Sequence, residues 1–262
     1  MKQLNQFITE YIVKKKLDKF IDSEDRYKYC PKTKDELIEN IEELINNKIY
    51  DFNCIDTSNI TDMSDLFYIV KDSFDIQFDV SNWNVSNVTN MGGLFYGCAN
   101  FNCNLSNWNV SKVTNMPYMF EGCLNFEGKG LEKWDVSNVK NMKYMFYNCE
   151  NINCDLSNWN VNNVKNMERT FYGCEIFEGK GLENWDVSNV TNMSNMFQEC
   201  KNFTGKGLDK WNVSNVKYTK YMFFECTNFD CDLSNWDVSK VENMSNMFYS
   251  CNLKNTPSWY KK

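Results

Sequence analysis

Between Ile55 and Cys251 the apolar positions recur in one order, with a period of 25 or 26 residues. Counting from Trp83, Val85 follows two positions on. Val88, Met91, Leu94, Phe95 and Cys98 then come at steps of three and four. A step of two is the spacing of one strand face; steps of three and four are the spacing of one helix face. The pattern therefore predicts a short helix over each Asn-Val-Thr-Asn-Met-x-x-Met-Phe-x-x-Cys run, with a serine such as Ser86 as its N-cap. A strand of three or four residues is predicted in the stretch that follows, as in 101–108. Stacked units would pair these strands into a parallel sheet with the helices on the other side. A repeat of this period is the signature of a solenoid, so the expected fold is an α/β solenoid of about eight units.

The repeated tryptophan stands at Trp83, Trp108, Trp134, Trp159, Trp185, Trp211 and Trp236, and a degenerate copy begins at Ile55. Phenylalanine recurs at 67, 95, 120, 146, 171, 197, 223 and 248. Methionine recurs at 63, 91, 116, 142, 167, 193 and 244, with Thr219 in its place once. Large apolar groups at fixed spacing read as stacked core. The shorter units carry Cys103, Cys154 or Cys231 in the link; the longer ones carry Gly-Lys-Gly, as at 128–130, 179–181 and 205–207. Those glycines supply positive φ for a looser turn. They lack the Lys-Ser/Thr ending and long-helix context of a phosphate-binding loop.

The flanks differ. Leu4, Phe7, Ile8, Tyr11, Ile12 and Phe20 predict an amphipathic helix within 1–23. Thr33 and Glu36 form a capping-box pattern ahead of Leu37, Ile38, Ile41, Leu44 and Ile45, predicting a second helix over about 34–47. Residues 1–54 are read as a helical cap, 55–251 as the repeats, and 252–262 as a C-terminal cap in which Trp259 takes the next tryptophan place. Pro257 there removes an N–H from an edge.

Charge and residue usage narrow the function. Net charge is −7, and residues 1–50 balance at ten bases and ten acids, so the excess lies in the repeats. That disfavours nucleic acid as a partner. No signal peptide or membrane-spanning run is read in the sequence, which gives a cytoplasmic or virion-associated expectation, with a cell-surface place only if a leader is missing. There is no histidine, which removes Ser-His and Cys-His nucleophile systems. The fixed carboxylates Asp135, Asp186 and Asp237 alternate with Asn84, Asn109, Asn160 and Asn212 in sister units. A general acid or base does not tolerate that exchange, whereas a group that accepts a backbone hydrogen bond does. Seven cysteines form a ladder, Cys98, Cys123, Cys149, Cys174, Cys200, Cys226 and Cys251, with Cys54, Cys103, Cys154 and Cys231 in a second position and Cys30 alone. They are read as buried free thiols behaving as small hydrophobes. C-x4-C pairs without histidine do not make a zinc site, and the glycine-rich calcium-solenoid pattern is missing. The expectation is no enzyme, no cofactor and no metal.

Units such as Leu156-Ser157-Asn158-Trp159-Asn160-Val161 and Trp185-Asp186-Val187-Ser188-Asn189-Val190-Thr191-Asn192-Met193 resemble the BspA-like leucine-rich-repeat proteins, in particular their mycoplasma-type repeat of unknown function. The resemblance implies a leucine-rich-repeat-like array that binds protein, as a non-catalytic interaction scaffold. Two alternatives it carries are a surface adhesin for host protein or glycan, and a phage or virus structural or accessory protein. The partner-binding residues are expected among the positions that the repeat leaves variable.

Overall fold

The computed structural model describes residues 27–70 and 76–260. One α-helix stands outside the repeats, α1, Lys34–Asn46. Thr33 is its N-cap, and its hydroxyl accepts from the Glu36 amide at 3.2 Å. The Glu36 carboxylate reaches back to the Lys32 amide, at 2.6 Å, one residue beyond the capping-box position. α1 buries Leu37, Ile41 and Leu44 in the same apolar cluster as the repeats. Lys34 Nζ donates to Ser64 Oγ at 2.9 Å. The helix expected within 1–23 lies outside the described residues. Among the described residues no helix is long and apolar enough to cross a membrane.

The helix predicted in every unit is not there. Besides α1, the described residues hold only single turns of 3-10 helix, at Tyr68–Val70, Leu131–Lys133, Leu182–Asn184 and Leu208–Lys210. The run Met142–Cys149 shows what replaces it. Met145 N donates to Met142 O, Tyr147 N to Tyr144 O and Cys149 N to Phe146 O, at 3.0–3.1 Å, each closing a β-turn. The alternate amides, of Met142, Tyr144, Phe146 and Asn148, donate instead to Asn166, Glu168, Thr170 and Tyr172 of the next unit, at 2.7–3.1 Å. Tyr144 and Asn148 have φ of 59° and 55°, which no α-helix contains. Consecutive turns also repeat an apolar side chain at i and i+3, so they carry a helix's spacing without being one. Ser86 accordingly caps no helix; its amide and hydroxyl both donate to Asn84 Oδ1.

The predicted strands are also displaced. Adjacent units meet at isolated parallel bridges, Asp62 to Asn90, then Asn115, Asn141, Asn166, Asn192, Tyr218 and Asn243. These lie at the start of the run read as helix, not in 101–108. Every backbone polar group needs a partner, and here half the amides of the turn run find theirs across the units, without extended strands. Stacking begins ahead of Ile55: Asp51 bridges Asp79 and Tyr29 bridges Ile55, so residues 50–54 belong with the repeats.

The tryptophan ladder tells why Trp is required. Each indole N–H donates to a carbonyl of the unit before it, from Trp83 to Phe52 O through Trp236 to Leu208 O, at 2.8–3.2 Å. Trp259 does the same to Leu233 O at 3.0 Å and stacks on Trp236 at 6.5 Å with the planes nearly parallel. Phe146 stacks between Phe120 and Phe171 at 5.5 and 5.4 Å. The methionines fill the space between, except where Thr219 Oγ1 is buried without a partner. Thr219→Val keeps the shape and removes the stranded hydroxyl, so it should stabilise the protein by about 1 kcal/mol in a denaturant melt.

The ladder thiols are free, like all twelve cysteines. Each donates to the phenylalanine carbonyl of the preceding unit, as Cys123 does to Phe95 O and Cys174 to Phe146 O at 3.1 Å. Burial pushes the Cys98 thiol up to about 12 and raises Cys149 well above its ordinary value. The thiolate, which is the reactive form, is suppressed there. Mass mapping with iodoacetamide should therefore label exposed Cys30 in the native protein, and the ladder from Cys123 to Cys226 only after unfolding.

Candidate interaction face

The residues that the repeat fixes are committed to structure. Asn84, Asn109, Asp135, Asn160, Asp186, Asn212 and Asp237 all accept from the backbone amide two residues on, at 3.0–3.2 Å. Both Asn and Asp present an oxygen there, which is why they interchange. Asn141, Asn166, Asn192 and Asn243 make the same bond at 2.9–3.1 Å. Trp83 to Trp236 and Cys98 to Cys226 are buried, with Cys251 half-buried. None of them lines an open site.

Two open depressions lie elsewhere. One of about 550 Å³ is lined by Tyr50, Phe78, Asp79, Asn102 and Cys103, and one of about 470 Å³ by Glu127, Lys129, Cys154, Asp155 and Ile176. Their carboxylates are already engaged. Asp79 accepts from Ser81 N at 2.8 Å and from the Cys103 thiol at 3.2 Å. Asp155 accepts from Ser157 N at 3.0 Å and pairs with Lys180 at 2.7 Å. No group of three or more Cys, Asp or Glu among the described residues could hold a metal.

What remains is the outer side of the turn runs, at the variable positions of Met-x-x-Met-Phe-x-x-Cys. The two αL turns of each unit aim these side chains away from the core. Stacking then sets them in columns: Tyr118, Tyr144, Arg169, Asn195 and Tyr221 in one, and Tyr96, Glu121, Tyr147, Tyr172, Gln198, Phe224 and Tyr249 in another. Tyr147 and Tyr172 stack at 4.6 Å, Tyr118 and Tyr144 lie at 5.0 Å, and Phe224 and Tyr249 stack at 5.1 Å. Arg169 lies 5.1 Å from the Tyr144 ring centre and 6.0 Å from that of Tyr172, and its guanidinium donates to the Tyr144 hydroxyl. The Tyr172 hydroxyl donates to Glu199 at 2.7 Å, and Gln198 donates to the same carboxylate at 2.9 Å. Burial, and then the Glu199 contact, raise the Tyr172 phenol above its ordinary value.

Two polar atoms on this face are hidden from solvent and unpaired, Glu121 Oε2 and Arg169 Nε. Burial raises the Glu121 carboxyl to about 7, against a smaller downward pull from Arg169. Because the folded form holds that proton more tightly than the unfolded chain, the stabilisation it gives is present below pH 4.5 and fades as pH rises through 7. Glu121→Gln should flatten that part of the stability–pH curve and raise stability at pH 8, read as urea midpoints across pH.

The family described as a Mycoplasma protein of unknown function, DUF285, matches residues 35–129, 61–181 and 169–260. The chain belongs to that family. The three DUF285 matches together take in α1, every stacked unit and Trp259. No curated protein and no solved structure matches the chain. The Trp, Met, Phe, Cys and Asn ladders run through the matched segments. The tyrosine columns fall on positions that vary from unit to unit of this chain. Their signal is present, since a tyrosine directly follows the ladder phenylalanine at 68, 96, 147, 172 and 249.

Proposed function

We propose that this DUF285 protein is a non-catalytic protein-interaction scaffold, a solenoid of the BspA-like, leucine-rich-repeat-like kind whose turn face binds another protein. The observation that carries this is the concentration of tyrosine, phenylalanine and arginine on one stacked face whose other groups are spent on the fold. Tyr and Arg are the residues enriched where protein surfaces bind. The ring geometry favours protein over glycan. Tyr147 and Tyr172, and Phe224 and Tyr249, cover each other's faces, so edges and hydroxyls point outward in place of the open ring faces on which a sugar would lie. A photo-crosslinking residue placed at 147 or 221 should capture one defined partner. The same residue at 129, in the Gly-Lys-Gly loop, should not. Equal capture from both positions would refute the assignment.

A further inference from the structure

We propose that the turn face docks a basic, extended segment of its protein partner, with Glu199 and Glu225 receiving one cationic side chain and Glu121 a second. The proposal rests on the reading of this face as the binding surface and adds the partner's chemistry.

The position before each ladder cysteine has positive φ. It is glycine at 97, 122 and 173, asparagine at 148, serine at 250 and glutamate at 199 and 225, the last two with φ of 64° and 58°. An L side chain with a Cβ is disfavoured in that conformation. These two glutamates also stand at equivalent places in adjacent units, so like charges are stacked. Glu199 is held by Tyr172 and Gln198. The Glu225 carboxylate has no hydrogen-bond or ion-pair partner among the described residues. Lys201, a cation whose charge acts on both, is already paired with Glu175.

The balance of the face points the same way. The variable turn positions carry Asp65, Glu121, Glu168, Glu199 and Glu225 against Lys143, Arg169 and Lys220. Lys143 is paired with Glu168 at 3.2 Å. Arg169 is turned onto Tyr144. Lys220 lies over the Tyr221 ring at 4.8 Å. The cations are engaged within the face, while the carboxylates of Glu225 and of half-buried Glu121 form no ion pair among the described residues. A basic partner is the complement. Tyr147 and Tyr172 lie between the two acidic anchors, with Phe224 beside Glu225, and offer apolar cover for the stems of long basic side chains. Glu121 lies three units from Glu199 and four from Glu225, about 14–19 Å at the spacing of paired strands, which an extended segment of about four to six residues spans.

The test is fluorescence anisotropy on the full chain, with a labelled peptide of about twelve residues carrying two arginines about six apart. Binding is expected, weakening as salt is added. Glu199→Gln with Glu225→Gln should lower affinity by about tenfold. Glu225→Gly, which installs the residue found at 122 and 173, should also weaken it without loss of fold. A peptide with both arginines changed to glutamate should not bind. Failure of the arginine peptide to bind, or equal binding by the Glu→Gln variants, overturns the proposal. Tyr172→Ser separates the two readings. If it weakens the peptide and the Glu→Gln changes do not, the face is the binding surface and the basic-partner assignment is wrong; if neither weakens it, both fall.

Discussion

Trp159→Ala should destabilise the protein by about 3–5 kcal/mol, the range for truncating a large buried aromatic. Two losses contribute. The indole is 2% exposed and stacks on Trp185 at 6.2 Å with its plane almost parallel. Its N–H also donates to Leu131 O at 2.8 Å, and truncation leaves that carbonyl with the Trp134 amide as its remaining donor. Trp159→Phe separates the terms: it keeps much of the ring and removes the donor, so about 1 kcal/mol is expected from the one hydrogen bond lost. In a linear array each unit touches only its neighbours. A defect at the centre should therefore split the unfolding transition, with the units before and after Trp159 melting apart in calorimetry. The same substitution at Trp259, which closes the stack from one side, should lower stability less and leave one transition.

Gly181→Ala should be nearly as damaging, about 3 kcal/mol or more, although it adds one methyl group. Gly181 has φ of 94°, and a Cβ there would stand 2.2 Å from the Ser157 backbone nitrogen of the unit before it. Neither the conformation nor the neighbour can yield cheaply, because the neighbour is main chain. Gly130 repeats this geometry against Ser106, so Gly130→Ala should match it. Gly92→Ala is the control. Gly92 has ordinary φ and its Cβ would meet Pro117 Cγ at 3.4 Å, an ordinary contact. It should cost under about 1 kcal/mol. Urea midpoints of the three variants give the comparison. The Gly-Lys-Gly loop is therefore a place where units touch backbone to backbone, more than a looser turn.

Much of the structure could be read from the residues. Period, stacking direction and the identity of the ladders follow from Trp, Met, Phe and Cys at fixed intervals, and helix α1 follows from Thr33 and its apolar spacing. The exchange of Asp135 for Asn84 in sister units correctly pointed to backbone bonding. The conformation of the unit could not be read the same way. Val139, Met142 and Met145 are three apart in either a helix or a chain of β-turns. The deciding information is the αL state of residues such as Tyr144 and Arg169, and neither side chain announces it. Tyr144 and Tyr147, three apart, would share a side in a helix too; here they lie 5.4 Å apart, and what the spacing did not show is that stacking lines them up with Arg169 and Tyr172 of the next unit.

The central claim is that the repeat residues are consumed by the fold and recognition resides in the variable turn positions. Its most direct test is one pair of measurements on Tyr147→Ser/Tyr172→Ser/Tyr221→Ser, half-buried side chains outside the ladders. Thermal stability and capture of the crosslinked partner are compared with the unaltered protein. The account predicts a small change in melting temperature with capture abolished. Undiminished capture of the same partner by a stably folded variant would contradict it.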